Sequence, residues 1–333
     1  MKPFAYAVAE APGQAVDQLA GRPGAKFLGG GTNLVDLMRL GVESPDLLVD
    51  VTRLDLDRIE ATAGGGLLVG AVVRNSDLAA DPRVRTAYPM LSQALLSGAS
   101  GQLRNLATVG GNLLQRTRCL YFQDVTKPCN KRKPGSGCPA RTGVHRDLAI
   151  LGAGEHCIAT HPSDFAVALA ALDARVHVTG PGGDRQVALN ELYRAPGEDP
   201  SRDTVLDPAD LITAVELPSP LAVHQNSLYR KARDRASYAF AVGSVAAGLS
   251  LTADGTVEEV RIALGAVAHK PWRARLAETA LTGRVAGAEE FRRAAELEMA
   301  AAEPLPDNEF KVRLSQNLIV AALCTLAGIE EEA

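Results

Sequence analysis

Apolar positions recur at helical spacing in AVDQLA and NLVDLMRLG and run continuously in AKFLG and DLLVDV, which predicts a small β-α-β unit over residues 1–57. From Ile59 the pattern changes. GGLLVGAVV predicts a strand, PMLSQALLSGA and SDFAVALAALDA predict helices, and ARVHVTG and DLITAVELP predict further strands, giving a larger α+β region over residues 58–220. The proline-bounded stretch LPSPLAVHQ marks a connection. Beyond it, SYAFAVGSVAAGLSL and VEEVRIALGAVA predict strands around the turn ADGT. GAEEFRRAAELEMAAA and KVRLSQNLIVAALCTLAG predict amphipathic helices of a third domain, residues 221–333.

Composition adds bounds. With 333 residues and 46% hydrophobic content the chain can build two or three cores, and a net charge of −4 argues against a nucleic-acid or anionic-membrane surface. Aromatic content of 4% disfavours a stacking platform for single strands. No apolar run is expected to reach the roughly 20 residues of a membrane span. The opening MKPFAYAVAEAPGQ lacks the hydrophobic stretch of a secretory signal, so either a cytoplasmic or a periplasmic location, the latter with an exported partner, is expected. No Ser-His-Asp set or paired-carboxylate arrangement stands out.

Two glycine-rich segments carry candidate chemistry. Lys26-Phe27-Leu28-Gly29-Gly30-Gly31-Thr32-Asn33-Leu34 places three glycines between a predicted strand and a predicted helix, where successive amides can form a nest for a pyrophosphate. It is neither G-x-G-x-x-G nor a P-loop. Arg104 to Leu113, RNLATVGGNL, again joins glycines to Thr108 and Asn112 donors beside Gly111, and two such loops suit one extended dinucleotide between them.

Directly downstream lie Cys119, Cys129, Cys138 and Cys157, spaced C-x9-C-x8-C-x18-C in a turn-rich, cationic segment, with Cys324 apart in an apolar helix. Four thiolates there point to an inorganic redox or metal centre; zinc favours closer pairs, and disulfides suit small secreted scaffolds. Lys127, Lys131, Arg132 and Lys133 stabilise a negative centre, dock an acidic partner, or simply face solvent. Tyr121 and Phe122 are candidates to pack over the centre, and His145, His156 and His161 are expected to be structural.

AKFLGGGTNL followed by RNLATVGGNL resembles the FAD-binding subunit of molybdenum hydroxylases, the xanthine dehydrogenase and carbon monoxide dehydrogenase group. A four-cysteine insertion after TVGGNL is similar to the flavoprotein subunits with an extra [4Fe-4S] cluster, found in bacterial aldehyde oxidoreductases and 4-hydroxybenzoyl-CoA reductase. The resemblance implies a vanillyl-alcohol-oxidase/PCMH-type α+β fold: two α/β subdomains and a C-terminal domain of antiparallel sheet and helices. It implies FAD held by Lys26 through Leu34 and by Thr108, Gly111 and Asn112. Asp164 would bond the flavin's polar tail, and Ile212 and Lys231 would lie beside the isoalloxazine. Cys119, Cys129, Cys138 and Cys157 would hold the cluster in the loop 115–160.

The implied activity is electron transfer in a heterotrimeric aldehyde oxidoreductase, with a large molybdopterin subunit, a small [2Fe-2S] subunit and an external electron acceptor. A xanthine dehydrogenase or 4-hydroxybenzoyl-CoA reductase subunit would share these sites. An autonomous flavin oxidase would need a substrate-binding cap, for which the third domain is small, and a zinc-binding assembly module would be colourless.

Overall fold

A computed structural model of the protein describes residues 1–330. Its first sheet is parallel, with β1 (Ala5–Val8) and β2 (Ala25–Leu28) on either side of β3 (Leu47–Asp50). The helices Pro12–Leu19 and Leu34–Arg39 make the crossovers, and Ala15, Val16 and Leu19 pack on Ala25, Leu47 and Val49. β1 goes unread in the sequence because AYAV is four residues long and largely exposed.

The second sheet is antiparallel, in the order β4 (Ile59–Ala61), β5 (Leu67–Gly70), β8 (Leu211–Leu217), β6 (Arg175–Gly180), β7 (Gly183–Ala188). β7, GDRQVA, is an exposed edge with no apolar alternation to betray it. Helix Asp164–Ala171 is buried along all eight residues, as an element apolar on every face must be. It packs between this sheet and the third, joining Ala246 and Ala263 in one core. Ser163 caps it, its Oγ accepting from the Ala166 amide at 3.0 Å.

In the third sheet β9 (Ser227–Ala232), β10 (Gly243–Leu251), β11 (Val257–Gly265) and β12 (Trp272–Arg273) are antiparallel neighbours, covered by helices Ala288–Met299 and Phe310–Ala327. The predicted hairpin is thus the middle of a four-stranded sheet. Trp272 ties that sheet to its helices, donating from Nε1 to Glu298 Oε1 at 2.8 Å. The stretch Pro306–Ala327 passes for a membrane span by length and composition alone, but it is not an unbroken apolar run, since Asp307, Glu309, Lys311 and Arg313 lie within it. Its Ile319, Val320, Ala322, Leu323 and Cys324 are core residues packed in the C-terminal domain, which accounts for the apolarity.

The cysteine segment has little regular structure, a turn of helix at Leu120–Gln123 and a 3-10 turn at Pro139–Arg141. Its apolar residues form a small core of their own. The C-terminal domain holds its far end. Fully buried Lys311 donates to the carbonyls of Leu148 (2.8 Å) and Ala266 (2.5 Å), and Asn308 Nδ2 donates to His145 O at 3.2 Å.

A glycine cleft beside a four-cysteine cavity

β2 ends at Leu28, and the chain turns through Gly29, Gly30 and Gly31 before helix Leu34–Arg39 begins. Gly31 has φ +71°, the left-handed region that glycine enters without strain. Gly30 is required for a different reason. A Cβ there would overlap the Leu106 carbonyl oxygen and lie 3.1 Å from Ala107 Cα, so the two glycine-rich segments pass each other backbone to backbone.

Together they wall a cleft of about 610 Å³. Lys26, Phe27, Gly29, Gly30, Gly31, Thr32, Asn33 and Leu34 line one side, and Thr108, Gly111 and Ile212 the other. Leu28 and Asn112 do not line it. Asn112 Oδ1 is taken internally, accepting from Ser163 Oγ and Gln115 Nε2, each at 2.7 Å.

The glycine end of the cleft offers donors to an anion, while Glu43, Asp203, Asp207 and Asp210 line the cleft elsewhere. Among the described residues, no backbone carbonyl accepts from the amides of Gly30, Gly31 or Thr32. Asn33 Oδ1 accepts from the Arg116 amide at 2.9 Å, which fixes the side chain, while its buried Nδ2 has no partner in the protein. A buried donor of that kind costs free energy unless a ligand satisfies it, and phosphate oxygens suit it. The following helix is only six residues long, so loop amides rather than a helix dipole supply the positive potential. The residues present therefore fit a diphosphate-bridged cofactor.

A second cavity of about 400 Å³ is lined by His161, Ser163, Asp164 and Ser244. Asp164 is not open to a ligand on both oxygens: Oδ1 accepts from Tyr229 Oη at 2.5 Å and Oδ2 pairs with Lys231 Nζ at 2.7 Å. Lys231, 3% exposed, donates as well to Ser97 O at 3.1 Å and lines neither cavity. Burial pushes the Tyr229 hydroxyl well above its ordinary value, with the adjacent carboxylate adding to the effect, so it stays a donor. Replacing Lys231 by methionine is expected to destabilise the fold by about 3 kcal/mol, since it strands a buried carboxylate. Chemical denaturation measures this, and an unchanged midpoint would show the pair to be dispensable.

All four clustered cysteines line one small cavity with Tyr121, Phe122, Asn130 and Lys131. Cys119, Cys129 and Cys157 are buried and Cys138 partly so. Burial raises the thiols of Cys119 and Cys138 and pushes Cys157 to about 12, with neighbouring cysteines contributing at each. The sulfurs of Cys119, Cys138 and Cys157 are thus held neutral without a metal and must lose protons to ligate one. Among the described residues no three His, Cys, Asp or Glu side chains are grouped as a single metal ion would require.

The loop cations do not form one solvated face. Lys131 is buried and Arg132 turns inward, its Nη1 donating to the carbonyls of Tyr121 (2.6 Å) and Phe122 (2.5 Å), while Lys127 and Lys133 are exposed. His145 Nε2 accepts from the Asp307 amide at 3.1 Å, and His156 Nε2 lies 3.2 Å from Glu198 Oε2. His161 Nε2 is buried without a partner, and burial lowers the ring to about 4, which keeps it neutral. Three polar residues went unread: Glu43, Arg116 and Asp203 all line the cleft. Arg116 carried a faint signal, a cation just past the second glycine motif; Asp203 carried none.

Residues 2–220 match the FAD-binding domain in molybdopterin dehydrogenase, and residues 227–326 match the CO dehydrogenase flavoprotein C-terminal domain. Over 324 residues the chain is 51% identical to the aldehyde oxidoreductase FAD-binding subunit PaoB of Escherichia coli (strain K12), covering 97% of this chain and 98% of that protein. It is 26% identical over 281 residues to the glyceraldehyde dehydrogenase medium chain of Sulfolobus acidocaldarius, covering 84% and 82%. Among solved structures, quinoline 2-oxidoreductase from Pseudomonas putida 86 superposes with a TM-score of 0.75 at 25% identity, covering 98% and 99%. The expected FAD-binding fold with its C-terminal domain is therefore the fold found. Two family matches that between them run almost end to end, and half the sequence shared with PaoB, make this chain a member of the FAD-binding subunits of the molybdenum hydroxylases, a family of oxidoreductases.

Proposed function

We propose that the chain is the medium, electron-transferring subunit of a heterotrimeric molybdenum-dependent aldehyde oxidoreductase, carrying one FAD and one [4Fe-4S] cluster. Electrons would arrive from a large molybdopterin subunit by way of a small [2Fe-2S] subunit and leave to an external acceptor. The observation that carries the cluster is the convergence of Cys119, Cys129, Cys138 and Cys157 on one cavity. A lone ion needs its ligands about 2.3 Å from one point, a grouping absent among the described residues. In a cubane each thiolate binds a different iron, so the sulfurs stand farther apart. The likeness to a protein named as an aldehyde oxidoreductase subunit supports the substrate class.

Bound FAD would supply a carrier that takes up electrons one at a time from such clusters and passes them on singly or in pairs. The chain's own residues do the holding. The amides of Gly30, Gly31 and Thr32 and the unpartnered Asn33 Nδ2 would hold the cofactor's phosphates, and Lys26 and Arg116 would balance their charge. Ala71, Val72 and Ile212 give the cleft an apolar wall that excludes water from a ring system. The Tyr229–Asp164–Lys231 set reaches the second cavity through Asp164, whose carboxylate it holds in place at that wall, where the rest of an extended cofactor would reach.

Anaerobic purification tests this reading. A yellow-brown protein with roughly one flavin and about four irons per chain, co-purifying with two further subunits as a complex that oxidises aldehydes rather than xanthine, is expected. A colourless, zinc-containing protein would overturn it.

A further inference from the structure

We propose that Arg116 couples the two cofactor sites, so that filling the cysteine cavity tightens FAD binding in the cleft and FAD in turn strengthens iron retention. This rests on the two-cofactor reading above and goes beyond it, because separate sites need not communicate.

Three independent contacts meet at this residue. Its backbone amide donates to Asn33 Oδ1, orienting the side chain whose Nδ2 awaits an acceptor in the cleft. Its guanidinium lies 4.8 Å from the centroid of the Phe122 ring, a wall of the cysteine cavity. It is also the middle member of a line of alternating charges. Lys26 Nζ pairs with Glu43 Oε2 at 3.1 Å, Glu43 Oε1 accepts from Arg116 Nη1 at 2.8 Å, Arg116 Nε faces Asp203 Oδ2 at 2.6 Å, and Asp203 Oδ1 pairs with Lys131 Nζ at 2.5 Å. The first four line the cleft; Lys131, 2% exposed at its side chain, lines the cysteine cavity.

The Arg116–Asp203 contact is close but not aligned as a hydrogen bond, which leaves both atoms capacity for another partner. A diphosphate in the cleft would draw on the same guanidinium. A cluster held by four thiolates is net negative and fixes Lys131 and the Phe122 wall. Asp203 is thereby held, and Arg116 is placed for the cleft before FAD arrives. Lys131 Nζ also donates to Pro200 O at 3.0 Å and Phe122 is buried, so an empty cysteine cavity removes the negative charge facing Lys131 rather than all its contacts; the ordering that charge supplied must then accompany FAD binding, which weakens it. Coupling of binding free energies is reciprocal.

The test titrates FAD into deflavinated full-length chain, iron-loaded and chelator-stripped, following flavin fluorescence. Coupling predicts that wild-type Kd rises about fivefold or more without iron. Arg116→Lys keeps the charge but loses the planar stack and the forked contacts, so its two Kd values should agree within about twofold. FAD should also slow iron loss to a chelator in wild type and not in the variant. Equal wild-type Kd values with iron demonstrably present and absent would overturn the coupling alone, as would undiminished coupling in Arg116→Lys. A chain that binds FAD but never takes up iron would refute the underlying two-cofactor reading, and the coupling with it.

Discussion

Gly30→Val is expected to leave a folded protein that has lost most of its flavin, seen as a fall of about tenfold in FAD affinity. The cause lies between the loops. The added Cβ would overlap the Leu106 carbonyl, so the segment 104–113 must move away from 25–34, at a strain of roughly 1–3 kcal/mol. Either the nest amides or Thr108 and Gly111 then leave the positions from which both walls meet one ligand. Gly13 provides the comparison, because a Cβ there meets nothing within 4 Å; Gly13→Ala should retain full flavin. Wild-type flavin content in Gly30→Val would refute the two-walled cradle.

Cys129→Ser is expected to lower iron content severely while flavin stays largely bound at saturating concentration. A serine hydroxyl remains protonated where a thiolate is needed, and Cys129 shares its cavity with the other three candidate ligands. Cys324→Ser is the control, since Cys324 belongs to the core of the C-terminal domain. Iron assay on both variants decides the assignment: equal iron in Cys129→Ser and wild type would remove that cysteine from the ligand set, and loss in Cys324→Ser would mean that iron responds to general destabilisation.

Elements with strong periodicity were legible in the sequence. Helix Asp164–Ala171 and strands β10 and β11 follow from runs whose apolar residues have nowhere to go but inside. Short or polar elements such as β1 and β7 were not, because pairing with a neighbour rather than their own pattern makes them strands. At the site, glycines announced the cleft, yet the reason for Gly30 was hidden: its constraint is a carbonyl some 75 residues downstream. The same limit hid Asp203, an ordinary loop aspartate until folding sets it between Arg116 and Lys131. Those two cations outweigh burial, which acts the other way, and hold its carboxyl below the usual range. The family resemblance set Lys231 beside the isoalloxazine, but nothing in its sequence context showed it as the partner of Asp164.

The clasp made by Asn308 and Lys311 bears on the timing of assembly. These residues belong to the C-terminal domain, yet they supply hydrogen bonds to the main chain of His145 and Leu148, at the far edge of the sulfur-bearing segment. Each bond joins residues 163 apart in the chain, so during synthesis that edge gains this fastening only after the intervening sheets have emerged. Cutting away Asn308 and Lys311 is thus expected to leave this edge of the cysteine-bearing segment without its fastening to the C-terminal domain.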